Sequence, residues 1–160
     1  MMTNLSCKVI EALKGCTLAT AESCTGGGIG YALTSVPGSS AVYKGGVVSY
    51  TNQVKIKQLN VSEEALNRVG AVSAEVARQM ALGARERFDA DIAVSVTGLA
   101  GPDGDTYGNP IGTVFIGYCD KFVTEAKEHH FEGNREQIRK KAIDAALQIL
   151  LDHVKKRSIQ

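Results

Sequence analysis

Two places where a strand runs into glycines constrain this chain more than anything else in it. Residues 17–21 read as a short strand that enters Ser23-Cys24-Thr25-Gly26-Gly27-Gly28, after which residues 29–36 carry helical spacing until Pro37. Strand, glycine turn and helix in direct succession form the unit from which helix-covered sheets are built, and the turn falls at the carboxyl edge, where such sheets hold ligands. The second transition follows residues 91–97 (DIAVSVT), a buried-type strand that opens into turn-rich residues 98–110 containing Gly-Pro-Asp-Gly-Asp. A loop of that length suits a functional role, and the two transitions can face each other across one edge.

The remaining elements fit the same scheme. Leu5, Val9, Ile10 and Leu13 recur with helical period before Gly15, and residues 46–51 form a β-branched strand. Asn52 then stands in cap position for a helix carrying Val54, Ile56 and Leu59. Ser62 and Ser73 cap two further helices, the first ending at Gly70 and the second near Phe88. Residues 112–119 and 122–131 read as two strands joined by Asp120-Lys121, an antiparallel hairpin. Asn134 and Gln137, at capping-box spacing, open a last helix whose face is marked by Ile138, Ala142, Ala145, Ile149, Leu150 and Val154. The expected fold class is α/β: a three-layer α/β/α sandwich with a mixed, mostly parallel sheet and an antiparallel hairpin. At 160 residues, without repeat or linker, the chain reads as one domain over residues 1–160.

Composition removes several classes of function. A net charge of +1 gives no excess of cations for a polynucleotide backbone, so no nucleic acid partner is expected. No apolar run approaches the roughly 18 residues of a membrane helix, and Asn4, Lys8 and Glu11 break the first segment, so it is no secretory signal and a cytoplasmic location is expected. Cys7, Cys16, Cys24 and Cys119 form no C-x-x-C pair and read as reduced thiols; His129, His130 and His153 fit no familiar ligand spacing. Asp103-Gly-Asp105 has the look of a calcium loop but lacks the distant Glu, so it reads as a turn. No metal and no cofactor are expected.

Spacing also nominates chemistry. Ser23 lies at the strand end, and the amides of Thr25, Gly26 and Gly27 point from a helix start toward either a phosphate or an oxyanion, which spacing does not separate. Tyr50 and Lys55 lie where a second strand passes into a helix. Most lysines in such places are solvated; one serving as a base must bring its ammonium from about 10.4 to near neutrality, which requires a dry or positively charged site. Thr97, Gly98, Ala100 and Gly101 belong to the second glycine transition. Arg135 and Arg139, four residues apart on the last helix, offer either a phosphate grip or two surface cations.

Taken together, Ala21-Glu22-Ser23-Cys24-Thr25-Gly26-Gly27, Pro37-Gly38-Ser39-Ser40, Tyr50-Thr51-Asn52 with Lys55, Gly70-Ala71-Val72-Ser73, Gly98-Leu99-Ala100-Gly101-Pro102 and Gly112-Thr113-Val114 resemble the nicotinamide-nucleotide amidase family, the CinA carboxyl-terminal domain family also called PncC. The resemblance covers roughly residues 5–152 and implies hydrolysis of nicotinamide mononucleotide to nicotinate mononucleotide and ammonia, a step of pyridine-nucleotide salvage, with no metal. Carried over by motif, Ser23 is the nucleophile, Lys55 the base and Tyr50 a relay or orienting group. Thr25, Gly26, Gly27, Ser39, Thr97, Gly98, Ala100, Gly101, Arg135 and Arg139 are assigned to the substrate. A homo-oligomer of open order is expected. The chain departs from the family at Asn134, where members often carry Asp; Asn keeps the helix cap but brings no charge to orient an arginine. It also matches no part of the amino-terminal domain of longer members, so only the amidase is expected. The rival is a module of the same fold that binds a nucleotide without turnover, against which Ser23, Tyr50 and Lys55 argue jointly.

Overall fold

The computed structural model describes residues 3–159. In chain order the elements are α1 (Asn4–Ala12), β1 (Leu18–Glu22), α2 (Gly28–Thr34), β2 (Tyr43–Val48), α3 (Asn52–Leu59), α4 (Glu63–Val69), α5 (Ala74–Phe88), β3 (Ile92–Gly98), β4 (Thr113–Cys119), β5 (Thr124–His130) and α6 (Arg135–Ile159), with a short 3-10 turn at Ser39–Ala41. The strands form one sheet in the order β2-β1-β3-β4-β5. β1 pairs in parallel with β2 and β3, while β4 is antiparallel to both β3 and β5. Four strands therefore run one way and β4 alone opposes them, which is the expected mixed, mostly parallel sheet.

Side-chain size differs between the two faces of the sheet, and that difference sets the layers. Leu18, Ile92, Val94, Val96, Val114, Ile116 and Tyr118 pack with α1, α2 and α6 through residues such as Val9, Leu33, Ile138 and Leu147. At about 1.5–3 kcal/mol for each large apolar side chain fully buried, this face carries most of the hydrophobic stabilisation. The alternate residues Ala19, Ala21 and Ala93 are small and meet Leu59 of α3, Ala65 and Leu66 of α4, and Val76, Met80 and Ala84 of α5. They are small because α5 lies close. A Cβ on Gly117 would come within 2.3 Å of the Ala77 carbonyl, and Ser95 Oγ donates to that same carbonyl at 2.6 Å.

Three local expectations are corrected. The second strand is 43–48 and not 46–51, because Tyr43 already pairs with Leu18 and the chain must turn after Val48 to start α3. The cap of α3 is Thr51, whose Oγ1 accepts the Val54 amide at 3.3 Å, so Asn52 is the first helical residue. The hairpin connection holds four residues, 120–123, because the Asp120 carboxylate accepts the amides of Phe122 and Val123 at 2.7 and 2.9 Å and builds its own turn. The capping box of α6 forms as read: Gln137 Oε1 accepts the Asn134 amide at 2.8 Å and Asn134 Oδ1 accepts the Gln137 amide at 2.9 Å. Among the described residues no helix is long and apolar enough to cross a membrane.

Candidate active site

Alternation along β1 sends Ala19 and Ala21 toward the α3–α5 layer, and Ser23 comes next in that register. Its amide donates to the Val96 carbonyl at 3.0 Å, tying the residue to the end of β3. Glu22 points to the other face. Its carboxylate, 2% exposed, accepts Thr25 Oγ1 at 2.7 Å and the amides of Ile29 and Gly30 at 2.9 and 3.1 Å. The negative charge sits on the orphan amides of the α2 amino end, the placement that helix geometry favours.

The same strand end fixes the amine. Ser49, just past β2, donates its amide to the Glu22 carbonyl at 2.7 Å and offers its own carbonyl to Lys55 Nζ at 2.6 Å. Lys55 lies one turn into α3, is 1% exposed, and places Nζ 3.1 Å from Ser23 Oγ. Among the described residues no carboxylate pairs with it. Removal from water, the dominant influence, lowers its ammonium to about 8, with the neighbouring Cys24 thiol acting weakly the other way. Burial pushes the Cys24 thiol up to about 11, so the sulfur beside Ser23 stays protonated at neutral pH.

A cavity of about 350 Å³ opens over this pair, near the lower end of the usual range for small-molecule sites. Ser23, Tyr50, Lys55, Thr97, Gly98, Ala100, Gly101 and Arg135 all border it. Tyr50 is 59% exposed, and its hydroxyl accepts from Arg135 Nη2 at 3.0 Å instead of touching Ser23 or Lys55. Arg135 Nη1 donates to the Gly101 carbonyl at 2.5 Å, so one guanidinium links the two walls without help from residue 134. Thr97 Oγ1 donates to the Ala71 carbonyl at 2.8 Å and is a structural tie.

The other nominated residues are not brought to this cavity. Gly26 and Gly27 adopt φ of 60° and 99°, a left-handed course open to glycine that turns the chain away, and the Gly26 amide is already bound to the Ser23 carbonyl at 3.0 Å. The Thr25 hydroxyl is held by Glu22. Ser39 lies in the 3-10 turn before Tyr43, which pairs with the start of β1, and so sits at the opposite edge of the sheet. Arg139 donates to the carbonyls of Cys24 and Thr25 from behind the turn. Other residues that the site uses carry no mark in the spacing. Asn52, read as a cap, lines the cavity because Thr51 does the capping. Glu22 and Ser49 hold the pair in place, and an acidic residue ending an apolar strand was the available signal for the first.

Fold and site together define a three-layer α/β/α protein whose cavity at the sheet's carboxyl edge joins a serine hydroxyl to a dry lysine. This chain belongs to the CinA C-terminal domain family, whose sequence profile matches residues 2–154. It is 48% identical over 134 residues to a CinA-like protein of Endomicrobium trichonymphae, covering 84% of this chain and 31% of that one. It is 49% identical over 144 residues to a putative competence-damage inducible protein of Caldicellulosiruptor saccharolyticus, covering 89% and 35%. The chain thus spans about a third of the length of these curated relatives. Among solved structures, the competence-damaged protein (CinA) superfamily protein from Escherichia coli superposes with a TM-score of 0.90 at 40% identity, over 92% of this chain and 87% of that one. The competence/damage inducible protein CihA from Agrobacterium tumefaciens does so at 0.88 and 38%, over 95% and 97%.

Proposed function

We propose that this chain is a nicotinamide mononucleotide amidohydrolase that uses Ser23 as nucleophile and Lys55 as base. The observation that carries the reading is the 3.1 Å approach of Lys55 Nζ to Ser23 Oγ, with the amine buried and lowered to about 8. A neutral amine in that place accepts the hydroxyl proton as Oγ attacks the carboxamide carbon. The tetrahedral intermediate collapses with cleavage of the C–N bond, and Lys55 returns the proton to the departing nitrogen, releasing ammonia. Water then attacks the acyl carbon, gives one proton to Lys55, and expels Ser23 Oγ, which recovers that proton, leaving nicotinate mononucleotide. The backbone of Gly98–Gly101 borders the same cavity and meets the developing oxyanion, while Arg135 at the mouth faces the ribose phosphate.

The test is ammonia release from nicotinamide mononucleotide in the presence of a chelator, with Ser23→Ala and Lys55→Ala alongside. Turnover that survives chelation and disappears in both variants supports the pair; binding without ammonia overturns the enzyme reading in favour of a ligand-binding module.

A further inference from the structure

Arg139 leaves α6 toward the back of the Ser23 turn. Its Nε donates to the Cys24 carbonyl at 2.9 Å and its Nη2 reaches the Thr25 carbonyl at 3.4 Å. The guanidinium seats against Gly26, where an added Cβ would stand 3.2 Å from Nη2. Among the described residues it has no carboxylate partner. Its charge therefore goes to two neutral carbonyls of the segment whose first residue carries the hydroxyl, and charge-assisted bonds of this kind are the stronger class.

That segment is bonded within itself, the Gly26 amide on the Ser23 carbonyl and the Gly28 amide on the Thr25 carbonyl, both at 3.0 Å, and Arg139 adds a hold from outside. Three consecutive glycines, 26 to 28, follow the two carbonyls, and the first two take left-handed φ. Glycine backbone is the least stiff available. On the far side, Glu22 fixes Thr25 Oγ1 and the start of α2, and the Ser23 amide is fixed on Val96. The peptides at Cys24 and Thr25 lie between these anchors; Arg139 grips the Cys24 carbonyl and shares the Thr25 carbonyl with the Gly28 amide, which donates to it at 3.0 Å.

We propose that Arg139 is a positioning residue: through the Cys24 and Thr25 carbonyls it holds the turn so that Ser23 Oγ stays on Lys55 Nζ, and it makes no contact with the substrate's phosphate. The proposal rests on the hydrolytic reading of the cavity and separates the two arginines of α6, Arg135 facing the cavity and Arg139 bracing its floor from outside.

The experiment compares Arg139→Ala and Arg139→Lys with wild type on nicotinamide mononucleotide and on the riboside lacking the phosphate. It adds the rate at which a fluorophosphonate labels Ser23, followed by intact mass; there an Oγ–P bond forms, the P–F bond breaks, fluoride leaves, and Lys55 takes the hydroxyl proton. For Arg139→Ala the expected result is a fall in kcat of about tenfold to a hundredfold on both compounds, the cost of a misplacement of about 1 Å, with KM nearly unchanged. Labelling slows by a similar factor, and Arg139→Lys, which keeps a cation but not the planar fork, recovers part of the loss. A rise in KM confined to the phosphorylated compound overturns the proposal in favour of a phosphate contact, and wild-type kcat and labelling in folded variants overturn it in favour of a surface charge. Should Arg139→Ala fail to fold in a thermal melt, Arg139→Lys decides alone. If wild type releases no ammonia from either compound but still labels, slowed labelling of the variants keeps the positioning role while the amidase reading falls; a wild type that does neither overturns both.

Discussion

Lys55 Nζ is held closer to the Ser49 carbonyl, at 2.6 Å, than to Ser23 Oγ, at 3.1 Å. The shorter bond fixes the direction of the amine and leaves it facing the hydroxyl. Because Ser49 is tied by its own amide to the Glu22 carbonyl, the spacing of β1 and β2 sets where the base stands.

With Lys55 lowered to about 8, kcat/KM rises through an ascending limb centred near that pH as the amine loses its proton, then levels. Lys55→Arg removes the limb together with most of the activity, since an arginine stays charged. Steady-state rates between pH 6 and 10 check this.

Stability should respond to the same group. The folded value, about 8, lies below the ordinary 10.5, so between these limits the unfolded chain binds more protons than the native one and stability rises with pH across that window. Urea midpoints should climb for wild type from about pH 8 to 9; above 9 the buried Cys24 thiol, raised to about 11, keeps its proton longer in the native state and works the other way. Lys55→Met should lose the dependence and be the more stable protein at pH 7.

Glu22→Gln keeps the shape of the side chain and one acceptor oxygen, so its amide nitrogen must face either the Gly30 amide, now on Oε2, or Thr25 Oγ1 and the Ile29 amide, now on Oε1. A loss of about 1–3 kcal/mol in urea unfolding is expected for a buried polar group left facing the wrong partner. An unchanged midpoint would remove the role given to Glu22.

Arg135→Ala should raise KM for nicotinamide mononucleotide while sparing the riboside, because this guanidinium borders the cavity and its Arg139 neighbour does not. Equal losses on both compounds would place the phosphate elsewhere.

Gly117→Ala tests the packing of α5. Its Cβ would lie 2.3 Å from the Ala77 carbonyl and 2.4 Å from Ser95 Oγ, so the helix must shift. Overpacking of this kind costs about 1–3 kcal/mol, read as a lower thermal midpoint.

Much of this molecule was legible in the residue pattern, and the reason is physical. Capping side chains act over three residues, so Ser62, Ser73 and the Asn134–Gln137 box marked helix starts, and the run 91–97 marked a buried strand. Asn52 misled because Thr51 and Asn52 are both good caps, and the course of β2 decides between them. Ser23, Tyr50 and Lys55 were found through motifs, yet that Lys55 is buried and Tyr50 is not depends on how α3 packs on the sheet. Ser39 and Arg139 were nominated by resemblance and position in the chain, and only the fold shows one at the wrong edge and the other behind the turn.

The reversed direction of β4 has a consequence for how this protein can vary. Gly98 pairs with Val114, and the Leu99 amide bonds the Thr113 carbonyl at 2.9 Å, so the intervening residues leave and rejoin the sheet at one rim. A segment that begins and ends at neighbouring points can be lengthened or rebuilt with little strain on the strands that bear it. Residues 99–112 can thereby be rebuilt without moving Ser23 and Lys55, which are anchored on β1, β2 and α3.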